Sequence, residues 1–134
     1  MAAAKSRRSS PRAGAKPGLR AQSAAVLYLR VDFGEHGALG PGKTRLMELI
    51  AETGSISAAG RAMGMSYRRA WQLVEALNAA YKEPVVTTAI GGQKGGGARV
   101  TPHGRRLVAQ FRAMEGKASA AIAAELKRYA RHLR

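Results

Sequence analysis

The chain has 134 residues, the size of one ordinary domain, and its 23 lysines and arginines against 8 acidic residues give a net charge of +15. Such an excess of positive charge indicates a polyanionic partner, most often nucleic acid, although a membrane surface or an acidic protein would also fit. The absence of cysteine excludes disulfides, thiolate catalysis and cysteine-bound metals, and no apolar run approaches the roughly 18 residues of a membrane helix.

The first 23 residues are rich in Ala, Ser, Arg, Pro and Gly, and they contain six basic residues but no acidic one. Because they lack hydrophobic periodicity, residues 1–23 are predicted to be a disordered basic tail, and residues 24–134 to form the folded domain. The prolines and glycines argue against the amphipathic helix of a transit peptide. The tail is either a solubilising extension or an arm that lies along DNA phosphates.

Residues 25–33 are predicted to form a β-strand, because Leu, Leu, Val and Phe alternate with Tyr, Arg and Asp. A glycine-rich loop is predicted from Gly34 to Gly42. The next element is a helix from about Lys43 to Glu52, with its leucines and isoleucine facing inward, and Gly54 ends it.

A phosphate-binding pattern overlaps this loop. Residues 37–44, Gly-Ala-Leu-Gly-Pro-Gly-Lys-Thr, have the spacing of a P-loop, in which Lys43 would contact the outer phosphates of a nucleotide and Thr44 would bind Mg²⁺. A P-loop, however, requires a buried parallel sheet with several further strands and crossover helices. Only two short strands joined by a hairpin follow, so a chance match is favoured, and a P-loop nucleotide-binding protein is kept as an alternative.

Residues 54–77 predict a helix-turn-helix. Ser57 is a plausible N-cap of the first helix, and the small residues from Ala58 to Ala62 would let two helices cross closely over a tight turn. Gly64 lies where the first helix must stop, a position that often requires a positive φ angle. Ser66 is then predicted to cap the second helix.

The second helix separates its residues into two faces at 100° per residue. Its predicted core face is apolar and consists of Ala70, Leu73, Val74, Leu77 and Tyr81. The N-terminal end of its outward face carries groups that suit phosphate oxygens and base edges in a major groove. The candidate DNA-binding residues are Ser66, Tyr67, Arg68, Arg69 and Gln72. Trp71 is expected to be partly buried against neighbouring helices, and a solvated basic face without DNA contact is the alternative interpretation.

Two short strands follow this helix, one predicted over residues 84–90 from its β-branched content and one returning over residues 98–100. The tip between them, residues 91–97, contains five glycines. A strand, a glycine-rich tip and a strand directly after a recognition helix are typical of a wing that contacts a phosphate or an adjacent minor groove. The candidate contacts are Lys94, Gly95, Gly96 and Arg99; a mobile hairpin without DNA contact is the alternative.

Thr101 and Pro102 are predicted to begin the last helix as N-cap and first-turn proline. The apolar residues of this helix recur at spacings of three and four, which makes a stripe too long for a small winged domain to cover. A second copy of the chain in two-fold pairing is the expected cover, and a helix folded back after a break at Gly116 is the alternative. The predicted dimer-interface residues are Leu107, Phe111, Met114, Ile122, Leu126 and Leu133.

Residues 25–116 resemble the DNA-binding domain of ModE, the molybdate-responsive regulator, which is itself a relative of the LysR-type winged helix-turn-helix. The matching residues are Gly54-Ser55-Ile56-Ser57, Ser66-Tyr67 with Ala70-Trp71, Gly91-Gly92 with Lys94-Gly95-Gly96-Gly97-Ala98, and Thr101, Gly104 and Leu107. The resemblance implies a dimeric transcription regulator with its recognition helix and wing on DNA. Full-length members also have C-terminal molybdate-binding domains, for which this chain leaves no room, so molybdate is not expected on it.

The predicted fold is therefore mainly α with a small β-hairpin wing, a winged helix-turn-helix followed by a long C-terminal dimerisation helix. The favoured function is a sequence-specific, non-enzymatic regulator of transcription that binds double-stranded DNA as a homodimer in the cytoplasm, associated with the nucleoid. No cofactor, metal or membrane is expected, and the three histidines have no metal-ligand spacing. An architectural protein that binds DNA of any sequence by charge alone is a further alternative.

Overall fold

The computed structural model of the chain describes residues 25–89 and 97–134. Its elements are β1 (Val31–Asp32), a 3-10 turn (Gly34–His36), β2 (Ala38–Leu39), α1 (Pro41–Thr53), α2 (Ile56–Ala62), α3 (Tyr67–Ala80), β3 (Val86–Ala89), β4 (Gly97–Val100) and α4 (Pro102–Ala130). Three helices, a hairpin and a long closing helix confirm the predicted winged helix-turn-helix class. Within the two described ranges, no helix is long and apolar enough to cross a membrane.

The helix boundaries follow from local capping chemistry. Gly54 ends α1 in the left-handed conformation, with a φ of 72°. Gly64 directly follows the C-cap of α2, with a φ of 74°. The Ser66 hydroxyl caps α3 by accepting a hydrogen bond from the Arg69 backbone N–H at 3.1 Å, and Thr101 caps α4 in the same way. These predicted boundaries are confirmed.

The N-cap of α2 differs from the prediction. Ser55, and not Ser57, caps this helix, because its hydroxyl accepts the Ala58 N–H at 2.9 Å. The left-handed residue Gly54 reverses the chain one position earlier, and the Thr53 hydroxyl then accepts the Ser55 N–H at 3.2 Å. This local network places Ser55 at the start of the helix.

The predicted strand over residues 25–33 was too long. Only Val31–Asp32 forms a strand, and it pairs antiparallel with Ala38–Leu39 inside the segment that was predicted to be a loop. Residues 25–30 have no regular secondary structure, since among the described residues no second strand lies beside them. The start of helix α1 also differs from the prediction. The helix begins at Pro41, two residues before the predicted start, because proline is well suited to the first turn of a helix.

The wing is fastened to the helices at its base. β3 and β4 pair antiparallel from Val86 opposite Val100 to Ala89 opposite Gly97. The Asn78 side chain in α3 accepts the backbone N–H groups of Val85 and Val86 and donates to the Val86 carbonyl. These bonds fix the wing relative to α3, the helix that would enter a DNA groove.

Helix α4 has 29 residues and is about 43 Å long at the standard rise per residue. It continues through Gly116, so the alternative of a break at that glycine is wrong. Its first part packs on the domain, where Phe111 is fully buried and Gly104 lies under the Val85 carbonyl. No side chain of α4 beyond Phe111 is fully buried, and the second half therefore extends away from the core.

Candidate nucleic-acid interface

The two helices of the helix-turn-helix cross at a point where neither has a large side chain. Gly60 of α2 lies so close to α3 that a Cβ atom on it would be 2.8 Å from the Cβ atom of Ala70. Both residues are buried, as is Ala59. The predicted need for small residues at this crossing is thus met, and the contact sets how α3 is presented to solvent.

Helix α3 presents its basic end to solvent. Ala70, Val74 and Leu77 are buried on one face, as predicted, while Leu73 and Tyr81 are only partly covered. Ser66, Arg68, Arg69 and Gln72 are exposed, and Tyr67 is 62% exposed although it is a large aromatic residue. Two guanidinium groups, an amide and a phenol on the first turns of an otherwise anchored helix can donate to phosphates and to base edges. The structure thus brings together the five predicted residues of this helix.

Trp71 is partly buried, as expected, and it packs against the core with its ring edge toward Tyr67, 6.1 Å between ring centroids. Its indole Nε1 is buried without a hydrogen-bond partner among the described residues. Trp71 is therefore a packing residue beneath the exposed surface, with one polar group left unpaired by the packing.

One predicted wing residue lies within the described part of the hairpin. Arg99 is exposed on β4 opposite Thr87, between the buried residues Ala98 and Val100. The Ala98 N–H donates to the Gly54 carbonyl at 2.9 Å, which fixes β4 against the start of the helix-turn-helix. The other three predicted wing residues, Lys94, Gly95 and Gly96, lie outside the described residues.

Lys43 is a further positive charge, close enough to Arg69 of α3 for the two charges to interact. Burial lowers the pKa of the Lys43 ammonium at the start of α1, and the positive charges of Arg30 and Arg69 lower it further. Lys43 was interpreted only through the P-loop pattern, which the structure does not support. The Lys43 ammonium donates to the Ala38 carbonyl at 2.8 Å, and the Thr44 hydroxyl donates to the Gly40 carbonyl at 2.9 Å. The strand before this segment, Ala38–Leu39, pairs antiparallel with Val31–Asp32, whereas a P-loop requires a buried parallel sheet.

An ion-pair cluster holds α4 against α1. The Arg112 guanidinium donates two hydrogen bonds of 2.9 Å to the Glu48 carboxylate and one of 2.7 Å to Glu115. These bonds from Arg112 hold the pKa of Glu48 below its ordinary value, and they raise the pKa of Arg112. The cluster lies directly after Phe111, where α4 leaves the core.

The predicted dimer-interface residues divide into two groups. Leu107 packs partly on the core, and Phe111 is fully buried in the core of its own chain, so Phe111 is not available to a second copy as predicted. Met114 is 43% exposed and Leu133 is 66% exposed, while Ile122 and Leu126 are partly exposed on the part of α4 beyond the core. Tyr129, 68% exposed, extends this second group.

These features define a winged helix-turn-helix domain. Helices α2 and α3 cross closely over small residues, α3 exposes a basic end, and the β3–β4 hairpin follows it. Residues 42–105 match the family model described as the bacterial regulatory helix-turn-helix protein, lysR family. The chain is 48% identical over 77 residues to the molybdenum-pterin-binding protein MopB of Rhodobacter capsulatus and 40% identical over 91 residues to the molybdenum transport protein ModE of Azotobacter vinelandii. It is 38% identical over 68 residues to the DNA-binding transcriptional dual regulator ModE of Escherichia coli.

These alignments cover 58%, 68% and 51% of this chain, but only 28%, 33% and 26% of the respective relatives. The chain therefore spans about a third or less of the length of the relatives that it matches. Within that span the chain is similar to the ModE relatives, and its helix-turn-helix region matches the lysR-family model.

Proposed function

We propose that the chain is a sequence-specific regulator of transcription that binds double-stranded DNA, with α3 in the major groove and the wing alongside it. The observation that carries the proposal is the exposed basic end of α3 above a buried opposite face. A helix anchored by one face and basic at its exposed N-terminal end suits major-groove recognition. The net charge of +15 would supply the attraction to phosphates that such binding needs. The proposed role is recognition of DNA without catalysis, in the cytoplasm at the nucleoid.

The first prediction tests the recognition helix. Replacing Arg68, Arg69 or Gln72 by Ala should weaken binding to the operator by about 1–3 kcal/mol and relax base preference locally, because each side chain would lose a base-edge contact. The operator would come from a genome-wide map of bound sites, and affinity would be measured on operator and random DNA at several salt concentrations.

The control for the two arginine variants is Arg131→Ala, which removes one positive charge from the exposed C-cap of α4. It should lower affinity for both DNAs by a similar small factor that shrinks with salt. If the α3 variants also lose equal affinity on operator and random DNA, these side chains contact only phosphate. The protein would then be an architectural DNA-binding protein.

We further propose that the chain acts as a homodimer through the second half of α4. Met114, Ile122, Leu126 and Tyr129 recur along α4 at spacings of three to eight, and Leu133 follows just beyond its end at Ala130. All five are exposed or only partly covered. Burying an apolar side chain of this size is worth roughly 1.5–3 kcal/mol before entropic losses, so a two-fold pairing of these stripes is favourable. Such a pairing would bring two recognition helices to two half-sites.

The second prediction tests this pairing by sedimentation at micromolar concentration. Leu126→Asp should shift the protein from dimer to monomer, because it places a charge in the middle of the apolar stripe. Ala124→Asp is the matched control, since residue 124 lies on the opposite side of α4 and is exposed. A monomer for the unmodified chain, or equal dissociation by both variants, would contradict the dimer, and the operator should then lack an inverted repeat.

A further inference from the structure

A small cavity lies between the β1–β2 hairpin and the end of the recognition helix. It has a volume of about 180 Å³ and is lined by Phe33, His36, Ala38, Lys43, Leu77, Ala80 and Tyr81. An engineered apolar cavity of roughly 150 Å³ is large enough to bind benzene, so this space fits a body about the size of one six-membered ring. The function proposed above makes no use of it.

The walls of the cavity are mostly apolar and aromatic. Leu77 is buried beneath it, Ala38 and Ala80 leave space where larger side chains would fill it, and Phe33 stands at the rim 48% exposed. Burial also raises the pKa of the Tyr81 phenol above its ordinary value. A planar or compact apolar group would therefore find contact surface on several sides.

One cation is placed at this apolar space. The Lys43 ammonium donates one of its three N–H groups to the Ala38 carbonyl at 2.8 Å, which holds it in the lining. Within residues 25–89 and 97–134, no acidic side chain forms an ion pair with Lys43, and the hairpin acids Asp32 and Glu35 are not part of the lining. The lowered pKa of Lys43, caused by burial and then by neighbouring Arg30 and Arg69, agrees with an uncompensated positive charge.

We propose that this cavity is a binding site for a small amphiphilic anion, a ring-sized apolar molecule that carries one carboxylate. The apolar body would lie against Leu77, Ala80 and Tyr81, and the carboxylate would accept hydrogen bonds from Lys43. An apolar wall with one fixed cation is complementary to both parts of such a molecule. A neutral hydrocarbon would leave the cation unpaired, and a bare inorganic anion would leave the apolar wall uncovered. Binding is measured without DNA, so the proposal stands or falls independently of the regulatory function.

The test is a titration of the ¹⁵N-labelled full chain, followed by amide chemical shifts, with three probes. Benzoate has the ring and the charge, benzyl alcohol has the ring alone, and acetate has the charge alone. We expect benzoate to bind saturably, with shifts concentrated at Ala38, Lys43 and Ala80, and about tenfold or more tightly than either partial probe, as expected for one charge-assisted contact.

Two variants and a control separate the contributions. Lys43→Met keeps the aliphatic stem and should reduce benzoate affinity to that of benzyl alcohol, whereas Ala80→Phe fills the cavity and should abolish the binding of both. Lys117→Met, an exposed charge outside the lining, should leave benzoate binding unchanged, and thermal melting of each variant verifies folding. Equal binding of benzoate and acetate, or shifts that persist in Ala80→Phe, would overturn the proposal in favour of general counter-ion attraction. Cavity shifts that depend on protein concentration alone would overturn it in favour of a second copy as the occupant.

Discussion

The crossing of α2 and α3 makes a sharp test of how the helix-turn-helix is assembled. In Gly60→Ala the new Cβ atom would lie 2.8 Å from the Ala70 Cβ and 3.5 Å from the Met65 Cγ. Carbon atoms pack best at about 3.5–4.0 Å, so the two helices must separate by roughly an ångström. Overpacking of this kind costs about 1–3 kcal/mol, whereas the exchange of glycine for alanine in a helix stabilises by about 1 kcal/mol.

Gly116→Ala provides the matched control, because it makes the same exchange within α4 at a position with no atom within 4 Å. The control should raise the free energy of unfolding, and Gly60→Ala should lie about 1–3 kcal/mol below it, since both variants share the gain in helix propensity. At about 4 °C per kcal/mol, where the ranges for smaller and for larger domains meet, the two melting temperatures should be clearly separate. Chemical denaturation gives the same comparison at 25 °C.

A double-mutant cycle then identifies the cause. Ala70→Gly should be less destabilising in the Gly60→Ala background than in the unmodified chain by about the overpacking energy, 1–3 kcal/mol, because it removes the colliding atom. If Gly60→Ala melts as high as Gly116→Ala, or if the two changes at the crossing are additive, the close approach of α2 and α3 does not limit the fold as argued.

Two further predictions concern stability. Trp71→Ala should lower the free energy of unfolding by about 3 kcal/mol, the low end of the range for removal of a large aromatic ring, because this ring is only partly buried. Trp71→Phe should cost less, because it also removes the unpaired indole N–H. If Trp71→Ala left denaturation unchanged but abolished DNA binding, Trp71 would be a DNA contact instead. Glu48→Gln should cost about 1 kcal/mol at pH 7, and the control Glu52→Gln, whose carboxylate is 3.9 Å from Arg45 and 62% exposed, less than half of that. Since the folded pKa of Glu48 is lowered, its contribution is present above the ordinary value of 4.5 and should disappear as the pH falls below it, so denaturation curves of Glu48→Gln and the unmodified chain should converge in acid.

Local chemistry made the helices and their ends predictable. A hydroxyl that caps from three residues away, as at Ser66 and Thr101, and a glycine that must adopt a positive φ, as at Gly64, are read from a few neighbouring residues. The N-cap of α2 could not be read in this way, because Ser55 and Ser57 can both cap a helix. Which of them does so depends on where Gly54 reverses the chain. The observed start of α1 follows from Pro41 instead, since proline suits the first turn of a helix.

Features that depend on distant parts of the chain were less predictable. Alternation over residues 25–33 indicates a strand, but a strand needs a partner, and only Val31–Asp32 has one among the described residues. The stripe on α4 is continuous in sequence, so its period could not reveal that Phe111 belongs to the core and the residues beyond it do not. The P-loop pattern predicted that Lys43 would contact the phosphates of a nucleotide. The antiparallel β1–β2 hairpin beside Lys43 is not the parallel sheet that a P-loop requires.

The Glu48–Arg112 ion pair contributes little to stability, but it fixes the direction in which α4 leaves the domain. Apolar burial of Phe111 holds α4 on the domain without fixing its direction, whereas two parallel hydrogen bonds of 2.9 Å to one carboxylate are directional. If the second half of α4 pairs two copies, this direction sets the distance between their recognition helices, and half-site spacing must match it. Glu48→Gln should therefore weaken binding to a two-half-site operator more than binding to a single half-site, measured by titration of both DNAs at fixed salt. An equal loss on the two DNAs would show that the ion pair contributes only to stability.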